Sequence, residues 1–180
     1  MAEKIILVLG GARSGKSNFA QQLAQVAGKK VLYIATAMVL DEEMERRVAA
    51  HQISRPADWV TLEAPNNLAS TLKTRPDCYN AVLLDCVTLL LGGAFHTMDE
   101  NTGEVAFTQE AERIVEDLIE AIDSRPEPWI LVSNEVGLGI VPDTLMGRVF
   151  RDIQGRANQR LAARADEVYF LAAGIPLKIK

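Results

Sequence analysis

The chain has 180 residues, of which 48% are hydrophobic and 24% charged, with a formal net charge of −5 at pH 7. That length suits a single domain, residues 1–180, with a sizeable core, and the acidic balance excludes general attraction to nucleic acid, so any anion site has to be local. Cys78 and Cys86 make neither a disulfide framework nor a CxxC motif, no run nears the ~18 apolar residues of a membrane span, and Met1-Ala2-Glu3-Lys4 shows no signal-peptide pattern.

These features lead us to expect a cytoplasmic protein whose two cysteines are small core residues in a reducing compartment. In chain order, Ile5-Ile6-Leu7-Val8-Leu9 reads as a buried strand. It runs into Gly10-Gly11-Ala12-Arg13-Ser14-Gly15-Lys16-Ser17, which fits G-x-x-x-x-G-K-[ST] at every fixed position. Asn18 onward reads as an amphipathic helix with Phe19, Leu23 and Val26 on its apolar stripe and Gly28 as its C-cap. Val31 to Thr36 is a second strand, which completes a βαβ unit and implies parallel pairing.

Asp41 can cap a helix that carries Met44 and Val48 to about Ile53, and Pro56 stops it. A short strand over Trp59–Leu62 follows, with Trp59 as a core anchor, then a short helix from Asn66 or Asn67 through Leu72. Ala81-Val82-Leu83-Leu84-Asp85 is a buried strand that ends in an acid; its helix or apolar turn continues to Leu91, and the polar run from Gly92 to Gly103 reads as a surface loop. Phe107–Ile122 is a strong helix with Ile114, Leu118 and Ile122 on one stripe, and Trp129–Ser133 is the next strand. Asp143 or Thr144 can cap a long helix that ends near Ala165, and Val168–Leu171 and Ile175–Ile179 flank Gly174 as a terminal hairpin. The expected architecture is α/β, a mostly parallel sheet with an antiparallel edge.

The glycine-rich run carries the first chemistry. Its glycines let backbone N–H groups turn inward toward phosphate oxygens, and the helix that starts there adds its unpaired donors and positive dipole end. Lys16 supplies a cation for the β- and γ-phosphates and Ser17 a hydroxyl ligand for Mg²⁺, so the chain is expected to bind a nucleoside triphosphate. Asp85, at the carboxyl end of its strand, reads either as the acid that holds Mg²⁺ or as a helix cap.

Glu43, Arg47 and His51 recur every four residues along one helix face, with Arg55 beyond the helix end. Imidazole can attack phosphorus and flanking arginines would offset phosphate charge, although a helical histidine is also a common packing residue. His96, in the polar run, reads as surface. Glu63 can be a solvated charge, a ribose ligand or a metal ligand. Ser133-Asn134-Glu135 faces the same ligand edge. Arg148, Arg151, Arg156, Arg160 and Arg164 read as a solvated helix face beside acids.

Taken together, the residues resemble the bifunctional adenosylcobinamide kinase/adenosylcobinamide-phosphate guanylyltransferases of cobalamin biosynthesis, over essentially the whole chain. The likeness is carried by Gly10–Ser17, Leu32–Ala37, the run from Arg47 through His51, Arg55-Pro56, Trp59 and Glu63, then Ser133–Pro142 and Phe150–Leu161. It implies a RecA-like P-loop NTPase fold, a homotrimer, and two reactions that use ATP or GTP with Mg²⁺. In one, the aminopropanol hydroxyl of adenosylcobinamide is phosphorylated. In the other, GTP gives GMP to a histidine with loss of pyrophosphate, and the phosphoramidate passes GMP to adenosylcobinamide phosphate.

His51 occupies the guanylylated position of that family. Gly10, Gly11, Ala12, Arg13, Ser14, Gly15, Lys16 and Ser17 match its nucleotide loop, and Ile34, Ala35, Thr36, Gln52, Ile53, Ser54, Arg55, Glu63 and Asp85 match further nucleotide-contacting positions. Some relatives carry a second histidine where this chain has Ala50, and some have Glu where Asp85 stands. Two rivals remain: a P-loop small-molecule kinase without nucleotidyl transfer, which gives His51 no job, and a regulatory nucleotide switch.

Overall fold

A computed structural model describes residues 1–37, 46, 55–64, 67–75, 77–98 and 103–180, apart from the side chains of Ala94, His96 and Thr97. The helix expected through Met44 and Val48, and with it His51, lies outside the described residues, as does the side chain of His96. The elements run β1 (Ile5–Gly10), α1 (Lys16–Ala27), β2 (Val31–Ala35), β3 (Val60–Glu63), α2 (Leu68–Lys73), β4 (Ala81–Asp85), α3 (Val87–Thr97) and α4 (Glu104–Asp123). They close with β5 (Trp129–Asn134), α5 (Leu145–Arg164), β6 (Glu167–Ala172) and β7 (Ile175–Lys178).

Among the described residues the strands form one sheet in the order β3-β2-β4-β5-β1-β6-β7, parallel throughout except for the antiparallel β6–β7 pair. β1, β2, β4 and β5 are apolar on both faces because both faces are covered, and their side chains divide by parity between two cores. Leu7, Ile34, Leu84 and Leu131 point into the larger core under α4 and α5, whereas Val8, Tyr33, Leu83 and Val132 point toward α1. On that second face Ala20, Ala24, Ala35 and Ala81 keep the contact thin, so α1 lies close over β1, β4 and β5.

Helix α1 therefore buries its small residues. Ala20 and Ala24 are the core face, Phe19 and Leu23 pack at its margin, and Val26 is 88% exposed, contrary to the apolar stripe read from spacing. The α3 helix also outlasts its expected end: it continues through Gly92 and Gly93 to Thr97, where a loop was expected. Phe95 explains this, stacking on Phe107 at 4.6 Å and meeting Phe150 edge-on at 5.2 Å, contacts that outweigh the helix cost of two glycines. Cys78 is exposed rather than in the core, while Cys86 is buried.

Two expected caps are observed. Thr144 accepts a hydrogen bond from the Gly147 N–H at 3.1 Å at the start of α5, and Gly28 follows α1. The α2 amides are instead satisfied from outside: Asp117 of α4 accepts from the N–H groups of Leu68 at 2.7 Å and Ala69 at 3.3 Å. Most of the arginine face of α5 is solvated and paired with acids, Arg160 with Glu116 and Arg164 with Asp123, but Arg148 donates to the carbonyls of Pro142 and Asp143 and ties down the loop before the helix.

Candidate active site

Strand pairing lines up the carboxyl ends. Gly10 is level with Asn134, and Ala35 with Asp85, so the ends of β1, β5, β4 and β2 form one edge with β5 between the glycine loop and the acid. Backbone need explains the glycines at two places. A Cβ at Gly10 would stand 2.6 Å from the Leu171 carbonyl oxygen, and Gly15 holds φ 93° at the helix entry. Arg13 takes φ 57°, so the loop bends in the left-handed region ahead of Gly15 as well. The β6–β7 turn braces it, because the Gly174 N–H donates to the Ser14 carbonyl at 3.0 Å.

Within this loop the Lys16 ammonium is buried and donates to the Gly11 carbonyl at 2.6 Å. The Ser14 hydroxyl is buried with no hydrogen-bond partner among the described residues, a donor free for an anion at the helix N-terminus. Burial lowers the Lys16 pKa, and Cys86 and Asp85 oppose the shift. Burial also pushes the Cys86 thiol up to about 11, which leaves it neutral at pH 7. Ser17 is half-buried on the first turn of α1, whereas Ala12 and Arg13 are exposed.

Asp85 is half-buried, and its Oδ2 accepts a hydrogen bond from the Tyr33 hydroxyl at 3.0 Å. Burial first, then the Asp85 charge, raises the Tyr33 pKa, so the phenol stays a neutral donor. Thr36 holds the other side of this corner. Its hydroxyl accepts from the Cys86 N–H at 2.6 Å and donates to the Cys86 carbonyl at 2.8 Å, and its own N–H donates to the Asp85 carbonyl at 3.3 Å. Behind β5, Asn158 donates to the Asn134 carbonyl at 3.0 Å while the Thr88 hydroxyl accepts from the Asn134 N–H at 2.8 Å, fixing the backbone beside Gly10.

The structure thus brings Gly10–Ser17, Ala35, Thr36 and Asp85 to one sheet edge. Ile34 lies in the core under α4 and α5, and Glu63 is exposed at the end of β3. Arg55 is half-buried with its guanidinium 3.6 Å from the Tyr33 ring centre, and Gln52, Ile53 and Ser54 lie outside the described residues with His51. The role of Tyr33 was not read from the sequence. Its signal was available: a hydroxyl within a buried strand needs a partner.

The model of the "Cobinamide kinase / cobinamide phosphate guanyltransferase" family matches residues 6–179. The chain belongs to this family. It is 45% identical to the bifunctional adenosylcobalamin biosynthesis protein CobU of Salmonella typhimurium, with 98% of this chain and 99% of that one covered. It is 43% identical to the bifunctional adenosylcobalamin biosynthesis protein CobP of Pseudomonas aeruginosa, with 97% and 96% covered. The CobU of Escherichia coli is 41% identical over 98% of this chain and 99% of its own. Membership makes the α/β sheet a P-loop NTPase fold of the RecA-like kind and the protein an enzyme of this kinase and guanyltransferase family.

Proposed function

We propose that this enzyme phosphorylates adenosylcobinamide with ATP or GTP and then transfers GMP from GTP to adenosylcobinamide phosphate through a covalent intermediate on His51. The observation that carries the reading is the buried Lys16 ammonium in a folded glycine loop, with Asp85 at the same edge of the sheet, in a chain of this family. For phosphoryl transfer, the loop N–H groups and Lys16 bind and orient the phosphates and offset the charge on the transferring group. The substrate hydroxyl oxygen attacks the γ-phosphorus, its proton is released to solvent, the bond to the bridging oxygen breaks, and nucleoside diphosphate leaves.

For guanylyl transfer, neutral His51 attacks the α-phosphorus of GTP, a P–N bond forms and pyrophosphate leaves. A phosphate oxygen of adenosylcobinamide phosphate then attacks the same phosphorus, the P–N bond breaks, and the product is adenosylcobinamide-GDP. Splitting the transfer gives each bulky partner its own displacement. Arg55, four residues beyond His51, has a buried Nε–H with no partner among the described residues, a donor suited to a phosphate oxygen.

The donors present fit Mg²⁺. No group of three metal-ligating side chains occurs among the described residues, so an ion would take Ser17 and Asp85 from the protein and its other ligands from phosphates and water, as Mg²⁺ on a nucleotide does. Bound there, Mg²⁺ would offset the charge that develops on the phosphates.

The family likeness supports a homotrimer, and the apolar side chains of Leu138, Ile140 and Ile175, 80%, 95% and 63% exposed, give copies a surface to bury. Among the described residues no helix is long and apolar enough to cross a membrane. The decisive test is His51→Ala incubated with radiolabelled GTP. We expect no protein-bound label and near-normal phosphorylation of adenosylcobinamide; persistent labelling rules the histidine out.

A further inference from the structure

Tyr33 sits in the middle of β2, facing the α1 side of the sheet, and it makes contacts on both its ring and its hydroxyl. The hydroxyl donates to Asp85 Oδ2 at 3.0 Å across the β2–β4 pair. The ring carries the Arg55 guanidinium over its face at 3.6 Å and is backed by Trp59 at 6.2 Å between ring centres. Arg55 in turn donates from Nη1 to the Thr61 hydroxyl at 3.3 Å, so the cation is held against the phenol from β3. Cation and ring attract because the face of an aromatic ring is electron-rich, and burial strengthens the effect.

We infer that Tyr33 is a positioning residue shared by both reactions, fixing the Asp85 carboxylate through its hydroxyl and the Arg55 guanidinium through its ring. With one oxygen held by the phenol, Asp85 keeps Oδ1 for another partner; with its guanidinium against the ring, Arg55 is restrained while its Nε–H stays without a partner among the described residues. A phenylalanine would serve Arg55 but not Asp85, and a leucine would serve neither. This inference rests on the roles given above to Asp85, Arg55 and His51.

The test is a pair of double-mutant cycles on the full-length enzyme. The first measures Mn²⁺ affinity by electron paramagnetic resonance, with a non-hydrolysable GTP analogue bound. Tyr33→Phe is expected to weaken Mn²⁺ binding about fivefold to tenfold, and to add nothing in the Asp85→Asn background. An unchanged affinity, or an equal loss in that background, overturns the inference. The second cycle follows the rate of labelling by radiolabelled GTP. Tyr33→Leu is expected to slow it about tenfold relative to Tyr33→Phe, a difference that disappears in the Arg55→Ala background, whereas the same difference persisting there overturns the role assigned to the ring. Failure of the histidine reading shows separately, as wild-type enzyme that takes no label, and the Mn²⁺ cycle then decides the case for Tyr33 by itself.

Discussion

Replacing Thr36 by valine isolates the corner that holds Asp85. Thr36 is 5% exposed, and its hydroxyl makes two hydrogen bonds to the backbone of Cys86, at 2.6 and 2.8 Å. Valine fills nearly the same volume, so the cost comes chiefly from leaving the Cys86 N–H unpaired, about 1–3 kcal/mol when buried, since the Leu90 N–H still donates to the Cys86 carbonyl at 3.1 Å. The expected loss is therefore about 1–3 kcal/mol, which for a chain of this size lowers the melting temperature by about 2–12 °C. Thr36→Ser keeps both bonds and loses one methyl group, so it is expected to cost about 1 kcal/mol or less. Urea denaturation of the three proteins measures the difference. A Thr36→Val enzyme within about 0.5 kcal/mol of wild type, with weakened nucleotide binding instead, would show that the hydroxyl serves the ligand rather than the corner.

Lys16→Ala is expected to cut phosphoryl transfer by at least about a hundredfold, measured as product formed from adenosylcobinamide; turnover near wild type would contradict the role of the loop. Because burial lowers the Lys16 pKa below its ordinary 10.5, the charged form is lost earlier as pH rises, so the kinase rate is expected to fall at alkaline pH before an exposed lysine would titrate. At the start of β6 Lys4, then Tyr169 and Lys178, hold the Glu167 pKa down to about 2. Its folded pKa is depressed, so its contribution is complete above the ordinary carboxylate value of 4.5 and is lost as pH falls from there toward about 2. Glu167→Gln is expected to be about 0.5–1 kcal/mol less stable at pH 7, with the gap closing in urea melts as pH falls through that window.

Local pattern made much of this protein legible. The loop from Gly10 to Ser17 is readable because phosphate binding fixes residue types at short range, and the β4 strand is readable because four buried apolar residues end in a lone acid. Contacts between distant segments were not. Gly92 and Gly93 argued against a helix, and only the stacking of Phe95 on a ring twelve residues on and another fifty-five on carries α3 past them. The two faces of α1 could not be ranked by hydropathy, since close approach to the sheet selects Ala20 and Ala24 over the larger Phe19 and Leu23. Tyr33 looked like one more strand residue because its acceptor, Asp85, lies 52 positions away. Cys78 was read as core from residue type alone, which says nothing about where a turn exposes it.

The account turns on a bond between phosphorus and the imidazole of His51. Mass spectrometry of the enzyme after incubation with GTP and Mg²⁺ tests it most directly, with peptide mapping to locate any adduct. One GMP per chain, on His51, is the predicted result. An unmodified chain that still converts adenosylcobinamide phosphate to the GDP derivative, or an adduct on another residue, would contradict it.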